Sequence, residues 1–372
     1  MTKNNQLTKT VNWKLWIGLL LSALFLYLAF RKVDFDQMWN ALKKANYWYL
    51  PPAILVLFFS HYLRALRWRY LLDPIRRLDT GSLFLSLIIG YGANTVTPAH
   101  LGEVLRAYVL SKKREISMSS VFATVVVERI IDVFTLLLLM CLVIFIHPFP
   151  DWVLKSGYIM FAGTLGLFLL LVFLKKSDSK GQALLRILLK PLPERYEARM
   201  KGMIERFLSG VVRLRRWHDY VAVTILSAPI WVCYALGFYF GLRAFDFIST
   251  YQLAWYVSLV LLVITTISVV VPSSPGYVGT FHFLCRVSLA MFGVPASSAF
   301  SFAIVVHAVM FLPVLALAIL FASYEGIRIY KPDVGPTEEL EPQTRPPRPS
   351  SSPAWLEGGP ESKPPRDPPA SA

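Results

Sequence analysis

The feature that most constrains this chain is a series of long apolar runs that carry almost no charge. Residues 156–174, 220–244 and 296–324 each approach or exceed the roughly 20 apolar residues that cross a bilayer as a helix. Backbone polar groups inside hydrocarbon must be hydrogen-bonded within the protein, and a helix achieves this within a single segment. The sequence therefore predicts an all-α polytopic membrane helix bundle.

Composition and further runs agree with this class. Only 16% of residues are charged and the mean hydropathy is +0.51, whereas soluble domains are about 25% charged. Four more runs are candidate spans, at about residues 11–30, 47–66, 116–146 and 251–271. With two interrupted runs described below, the prediction is about seven or eight spans and two re-entrant or broken segments, with a possible internal pseudo-repeat.

The net charge of +15 is typical of a membrane protein with basic cytoplasmic loops that face anionic lipid. No nucleic-acid motif accompanies it, so nucleic acid is not an expected partner. Basic residues concentrate at 64–79, 112–114 and 175–218, and we predict that these stretches face the cytoplasm. The expected location is the cell (cytoplasmic) membrane, with a multi-pass topology.

The last 42 residues differ from the rest of the chain. Residues 331–372 contain 12 of the 25 prolines and almost no large apolar side chains, so they cannot bury a core. We predict a membrane domain over 1–330 and a disordered, cytoplasmic tail over 331–372. Such a tail is a candidate docking segment for a protein partner with an aromatic groove.

Two apolar runs are interrupted in the same way. A Pro-x-x-x-Gly core occurs in each, from Pro98 to Gly102 and from Pro275 to Gly279. Non-helical backbone at membrane depth is tolerated only where it is buried in protein or lines a cavity, and paired interruptions point to a transporter's binding site. The alternative is two ordinary loops at the membrane surface. The matched spacing favours re-entrant segments.

Polar residues within these segments are candidates for substrate binding. The first segment offers an amide, an imidazole and an ion pair, and the second offers hydroxyls, a turn and an imidazole; the candidates are Asn94, Pro98, His100, Gly102, Glu103, Arg106, Ser273, Ser274, Pro275, Gly276, Gly279 and His282. Arg106 is either a phosphate clamp or an interfacial arginine that extends to the headgroups. His61 and His307 lie on apolar spans and are interpreted as core histidines.

Three charged residues lie inside an apolar run: Glu128, Arg129 and Asp132. Glu128 and Asp132 are four positions apart and share a helix face. Charges at this depth are costly and are normally paired or line a polar pathway. The sequence leaves two compatible roles open, an internal ion-pair staple and a lining of the headgroup pathway.

Several function classes are excluded by missing motifs. The chain has no Gly-x-x-x-x-Gly-Lys-Ser/Thr sequence for ATP, no dinucleotide fingerprint and no cysteine and histidine spacing typical of a metal site. We therefore expect no cofactor, no metal and no ATP hydrolysis.

Taken in order, these motifs resemble a known family. Asn94-x-x-x-Pro98-Ala-x-x-Gly102-Glu103-x-x-Arg106, then Glu128-Arg129-x-x-Asp132, then Pro272-x-Ser-Pro275-Gly276-x-x-Gly279 resemble the lysylphosphatidylglycerol synthetase-type transmembrane, or flippase-like, family. The resemblance covers about residues 12–330. It implies a bundle of seven or eight spans and the handling of phospholipids or polyprenyl-linked glycolipids near the bilayer midplane.

The chain departs from that pattern in three ways. His100 stands where the family usually has an arginine, and His282 stands where it usually has a glutamate. Bifunctional members carry a following aminoacyltransferase domain, which we do not expect here, so lysyl transfer is not carried over.

The leading hypothesis from sequence is a lipid translocase that binds an anionic phospholipid or lipid-linked glycan. Arg106 and Arg129 would hold the headgroup phosphate, and Glu103, Glu128 and Asp132 would balance those charges or bind a cationic headgroup. Two alternatives remain: a membrane enzyme acting on a lipid-linked substrate, with Glu128 or Asp132 as general base, and a non-transporting lipid-binding regulator.

Overall fold

The computed structural model describes residues 20, 23–31, 33–97, 101–176, 202, 216–270 and 275–326. Residues 23–30 are helical, and eleven further helices follow: α1 Phe35–Lys44, α2 Leu50–Leu72, α3 Thr80–Val96, α4 Leu101–Arg114, α5 Met118–Ile144, α6 Asp151–Lys176, α7 Trp217–Ala244, α8 Phe247–Thr250, α9 Val257–Val270, α10 Thr280–Ala290 and α11 Ala296–Tyr324. Two short 3-10 turns occur at Tyr47–Tyr49 and Pro275–Tyr277. The described residues contain no strand, which confirms the predicted all-α class.

Four of these helical stretches are long and apolar enough to cross a membrane, namely Tyr47–Leu72, Asp151–Leu171, Trp217–Ala244 and Ala296–Tyr324. Helix α5 has 27 residues, which is about 40 Å of helix, but it carries the three charged residues noted above. The prediction of a polytopic membrane helix bundle is confirmed. The predictions for residues 331–372 and for most of 175–218 fall outside the described residues.

Helices α3 and α4 form the first re-entrant hairpin, with both of its ends at the same side of the bundle. At its base, Arg114 at the end of α4 pairs with Asp79, which caps α3, and also donates to Ser82 Oγ at 2.6 Å. Partial burial of Asp79 acts to raise the pKa of its carboxyl group, but hydrogen bonds from Ser82 and the charge of Arg114 lower that pKa overall. At the tip, Gly102 N–H donates to Asn94 Oδ1 at 2.8 Å.

Helices α9 and α10 form the second re-entrant hairpin, which enters from the opposite end. His147, just beyond the end of α5, contacts Tyr256 and Phe292, with ring centroids 6.3 and 4.8 Å apart. These two residues lie at the outer ends of α9 and α10, so the base of this hairpin is at that end of α5. The base of the first hairpin precedes the start of α5. The two bases therefore lie at opposite ends of a helix about 40 Å long.

The tips of the two hairpins meet inside the bundle. Gly276 has a φ of +65°, and a Cβ there would lie 3.0 Å from the carbonyl oxygen of Thr95. Gly279 has a φ of +90° and precedes the first residue of α10. Both glycines occupy backbone that side chains rarely adopt. The predicted re-entrant segments are confirmed, and their inverted entry agrees with the suggested pseudo-repeat.

Apolar packing surrounds the second hairpin. The largest core cluster joins α5, α7, α9, α10 and α11, and Val260, Leu261 and Ile264 of α9 are fully buried within it. Aromatic side chains are exposed at both ends of the bundle, Trp217 and Tyr324 at one and Trp48 and Trp255 at the other. This is the distribution of an aromatic belt at two membrane interfaces.

Close helix contact in the first hairpin depends on Gly102. A Cβ at Gly102 would overlap the carbonyl oxygen of Gly90 and approach Asn94 Oδ1 to 2.5 Å. We expect Gly102→Ala to lower the free energy of unfolding by about 1–3 kcal/mol, measured as a fall in the thermal midpoint in detergent. The matched control is Gly163→Ala on α6, where a Cβ meets nothing within 4 Å. That change should leave the midpoint unchanged or raise it, and equal effects at both glycines would contradict the prediction.

Candidate functional site

Seven charged side chains from α2, α4 and α5 meet beside the tip of the first hairpin. This charged cluster consists of Arg64, Arg67, Glu103, Arg106, Glu128, Arg129 and Asp132. Five of its members were candidates from the sequence: Glu128, Arg129 and Asp132 on α5, and Glu103 and Arg106 from the first broken segment. Arg64 and Arg67 were not predicted.

Glu128 is the centre of the charged cluster. Its side chain is fully buried, Oε1 accepts from Arg64 Nη1 at 2.8 Å, and Oε2 accepts from Arg106 Nη2 at 2.7 Å. A buried charge is tolerated only when it is paired and hydrogen-bonded. Glu128 therefore joins α2, α4 and α5 through its two oxygens.

Asp132 lies one turn further along α5 and binds the same helix α2. Its Oδ1 accepts from Arg67 Nη2 at 2.6 Å and its Oδ2 accepts from Arg64 Nη1 at 2.8 Å. Arg64 is also fixed from α7, because its Nε donates to the hydroxyl of Tyr234 at 2.7 Å. The staple role that the sequence left open is thus present for Glu128 and Asp132.

The sequence prediction for Arg64 and Arg67 was wrong. Both were assigned to the basic cytoplasmic stretch at residues 64–79, because the predicted span ended at about residue 66. Helix α2 instead continues to Leu72 and buries both arginines, with side chains 5% and 0% exposed. Arginines three positions apart share a helix face, and the acidic residues of α5 provide the partners that make their burial tolerable.

Arg106 is enclosed. Its guanidinium lies 4.5 Å from the Trp68 ring centroid, a cation–π contact, and its Nε is 3.7 Å from Glu103 Oε2. The side chain has no exposed surface. Arg106 therefore positions Glu128 and Glu103, and its side chain is closed off from a ligand outside the cluster.

Arg129 is the most exposed member of the charged cluster, at 36% of its side-chain surface. Its contacts are long: Nη2 donates to Tyr91 OH and Glu128 Oε1, each at 3.2 Å, and Nε is 3.6 Å from Glu103 Oε1. Four arginines face three carboxylates, so the cluster has one positive charge in excess. Arg129 is the cluster arginine with the most exposed side chain, so a ligand could reach the excess charge there.

The second hairpin supplies the neighbouring wall. His307 of α11 hydrogen-bonds the carbonyl oxygen of Gly276 at 2.7 Å, and its ring lies 4.8 Å from that of His282. Tyr277 follows with a φ of +59° and interacts electrostatically with Glu103 and Arg129. His307, interpreted from sequence as a core histidine, thus fixes the tip, and His282 lies buried behind it with no hydrogen bond to its Nδ1.

The other predicted site residues shape the backbone at the two tips or fall outside the described residues. Asn94 and Gly102 close the first tip, Pro275 begins the 3-10 turn, and Gly276 and Gly279 provide its left-handed backbone. Pro98, His100, Ser273 and Ser274 fall outside the described residues. Within the described part of the chain, no group of three or more histidine, cysteine or acidic residues is placed to hold a metal ion.

Sequence reasoning missed several contributors besides the two α2 arginines. Tyr91 on α3 and Tyr234 on α7 both bind cluster arginines through their hydroxyls. A tyrosine in an apolar run has many possible partners, so no local signal marked these two. The available signal was the arginine pair itself, since apolar residues continue between and after these arginines as far as Leu72.

The fold and the site define a class: a polytopic helical membrane protein with a buried charged cluster where two re-entrant hairpins meet. The chain belongs to the family described as lysylphosphatidylglycerol synthase TM region, which matches residues 15–318. This confirms the resemblance drawn from the three motifs.

Two relatives with curated descriptions are similar over most of the chain, and a third is similar over about a third of it. A UPF0104 membrane protein of Methanothermobacter thermautotrophicus is 24% identical over 303 residues, covering 77% of this chain and 88% of that protein. A second, of Methanocaldococcus jannaschii, is 25% identical and covers 76% and 86%. The glycosyltransferase AglD of Haloferax volcanii is 33% identical over 120 residues, 32% of this chain and 19% of that protein. No solved structure matches.

Proposed function

We propose that this protein binds the phosphate of a membrane-lipid headgroup where the hairpin tips meet and allows the lipid to pass between leaflets without ATP hydrolysis. The observation that carries the proposal is the excess positive charge of the cluster, presented at its open member, Arg129. A guanidinium matches phosphate geometry through paired donors. Family membership and the similarity to a glycosyltransferase over 120 residues support a lipid or lipid-linked ligand.

In this proposal the roles within the cluster are divided. Arg129 contacts the phosphate, while Arg64, Arg67 and Arg106 hold Glu128 and Asp132 in place. Glu103, with its side chain 13% exposed and long contacts to two arginines, balances the charge of Arg129 when no headgroup is present. Tyr91 and Tyr277 border the site, and the hydroxyls of Ser273 and Ser274 remain proposed hydrogen-bond donors from the second segment.

The proposed orientation places the base of the first hairpin in the cytoplasm. Arg76, Lys112, Lys113, Arg114 and Arg216 lie at that end of the helices, which fits the positive-inside rule. Helix α11 ends there as well, because Glu325 pairs with Lys113. A chain leaving α11 would continue on the cytoplasmic side of the cell membrane.

The enzyme alternative is less well supported by the geometry. A general base needs a free lone pair directed at the substrate proton. Both oxygens of Glu128 and both of Asp132 accept from arginines at 2.6–2.8 Å. These carboxylates are therefore occupied as ion-pair partners. Translocation needs no free carboxylate, so we propose it in preference to catalysis.

The test is a transbilayer assay in proteoliposomes with fluorescent headgroup-matched lipids. We expect phosphatidylglycerol and a polyprenyl-phosphate-linked sugar to move, and a diacylglycerol-linked sugar without phosphate to remain, because the excess charge recognises the phosphate. Protein-free liposomes give the background rate. Equal movement of the lipid without phosphate would refute phosphate recognition, and movement of none of the three would refute translocation.

A further inference from the structure

A cavity of about 410 Å³ lies beside the second hairpin. Its wall combines the first described helix, the start of α6, the end of α9 and α10, and its apolar lining is Phe25, Trp152, Ile267, Phe283, Leu284 and Val287. Ligand pockets occupy about 300–1,000 Å³. The cavity is therefore large enough for a small ligand, and it lies outside the charged cluster.

The hydroxyl groups in the cavity wall already have hydrogen-bond partners within the protein. Two hydroxyls reach the wall, and each is satisfied by its own helix or turn: Ser156 Oγ donates to Trp152 O at 2.8 Å, and Thr280 Oγ1 donates to Tyr277 O at 3.1 Å. Cavities lined by apolar groups do not hold water well and take apolar ligands instead. The occupant that fits is hydrocarbon.

The cavity begins beside the tip of the second hairpin and leads away from the proposed cytoplasmic end. Thr280 is the first residue of α10 and bonds to Tyr277 at the tip, whereas Val287 lies two turns further, about 10 Å along the helix. Trp152 at the start of α6 marks the opposite end of the bundle. A lipid of the cytoplasmic leaflet has its headgroup towards the cytoplasm and its chains pointing in this same direction.

We propose that this acyl-chain cavity holds one fatty acyl chain of the phospholipid whose phosphate meets Arg129, an inference that rests on the proposed function. An apolar cavity of about 150 Å³ binds benzene, with six carbons. By that ratio, 410 Å³ holds about 16 carbons, the length of one common acyl chain. A polyprenyl chain is several times longer and would leave most of its length outside.

The experiment uses full-length protein in phosphatidylcholine nanodiscs that contain a phosphatidylglycerol with a photoreactive diazirine on one acyl chain. Labelling of the α10 peptide is read by mass spectrometry. Val287→Trp fills the cavity, and Val232→Trp is the matched control, since Val232 is exposed on α7. We expect labelling to fall at least tenfold in the first variant and to be unchanged in the second.

Two further arms separate folding and headgroup effects. Val287→Ala enlarges the cavity and should retain wild-type labelling, so loss in Val287→Trp alone reports filling. Soluble dihexanoyl phosphatidylglycerol should bind Val287→Trp normally and Arg129→Ala poorly. Equal labelling of the two tryptophan variants would overturn the acyl-chain cavity. It would also be overturned if added polyprenyl phosphate reduced the labelling of the wild-type protein more strongly than added unlabelled phosphatidylglycerol does. Normal dihexanoyl lipid binding by Arg129→Ala would instead overturn the proposed headgroup site.

Discussion

Arg129→Ala should reduce protein-dependent movement of phosphatidylglycerol in proteoliposomes by about 10- to 100-fold. A hydrogen bond to a charged group contributes about 1.5–3 kcal/mol, and each 1.4 kcal/mol is about tenfold in binding or rate. Arg129 is the most exposed cation among the seven members of the charged cluster. Its removal also eliminates the cluster's excess positive charge, so the phosphate loses both a donor pair and the local field. The readout is the rate at which fluorescent lipid becomes accessible to an external quencher.

The controls for Arg129 separate charge, shape and general surface effects. Arg129→Lys keeps the charge without the bidentate fork and should give an intermediate rate. Arg243→Ala is the matched arginine control, because Arg243 lies at the opposite end of the bundle on α7 and contacts Tyr49. That variant should move lipid at the wild-type rate. A wild-type rate for Arg129→Ala would end the assignment of the headgroup site to the charged cluster.

Glu128→Ala is expected to have the largest effect on stability, lowering the free energy of unfolding by about 3–5 kcal/mol. Removing one partner of a buried ion pair leaves the other charge uncompensated. Glu128 is fully buried and pairs with Arg64 and Arg106, so two guanidinium groups would lose a short contact at once. The measurement is reversible unfolding in mixed micelles of mild detergent and sodium dodecyl sulfate.

Two comparison variants show whether the effect of Glu128→Ala comes from its burial and its ion pairs. Asp151→Ala removes an exposed carboxylate at the start of α6 and should change the unfolding midpoint little, since surface charges contribute about 0–1 kcal/mol. The double variant Glu128→Ala, Arg64→Ala should recover part of the loss, because one orphaned charge is removed with its partner. If Glu128→Ala unfolds at the wild-type midpoint, the charged cluster is not a staple.

Local sequence signals were sufficient for the class of fold and for the position of both hairpin tips. Proline and glycine at fixed spacing mark places where a helix must stop, and in the structure α3 ends at Val96, α4 begins at Leu101 and α10 begins at Thr280. The opposite directions in which the hairpins enter could not be predicted in the same way. Direction depends on which end of α5 each hairpin base adjoins, and that is a property of the packed bundle.

The sequence predicted contacts within the charged cluster only between residues that are close together in the chain. Glu128 and Asp132 are one turn apart on α5, and their spacing alone implied a common face. Their partners Arg64 and Arg67 are more than sixty positions away, and an arginine near the end of an apolar run is equally consistent with a membrane-surface location. Only packing of α2 against α5 decides between burial and exposure.

The contact between the two hairpin tips has an electrical consequence under the proposed function. A Cβ at Gly276 would lie 3.0 Å from the carbonyl oxygen of Thr95, so the two tips are in close contact inside the bundle. An anionic headgroup that crossed the bilayer past this contact would carry its charge through the membrane voltage, about 2.3 kcal/mol per 100 mV. With a negative cell interior, the field would favour outward passage of that headgroup, and the membrane potential would then be a source of work that needs no ATP.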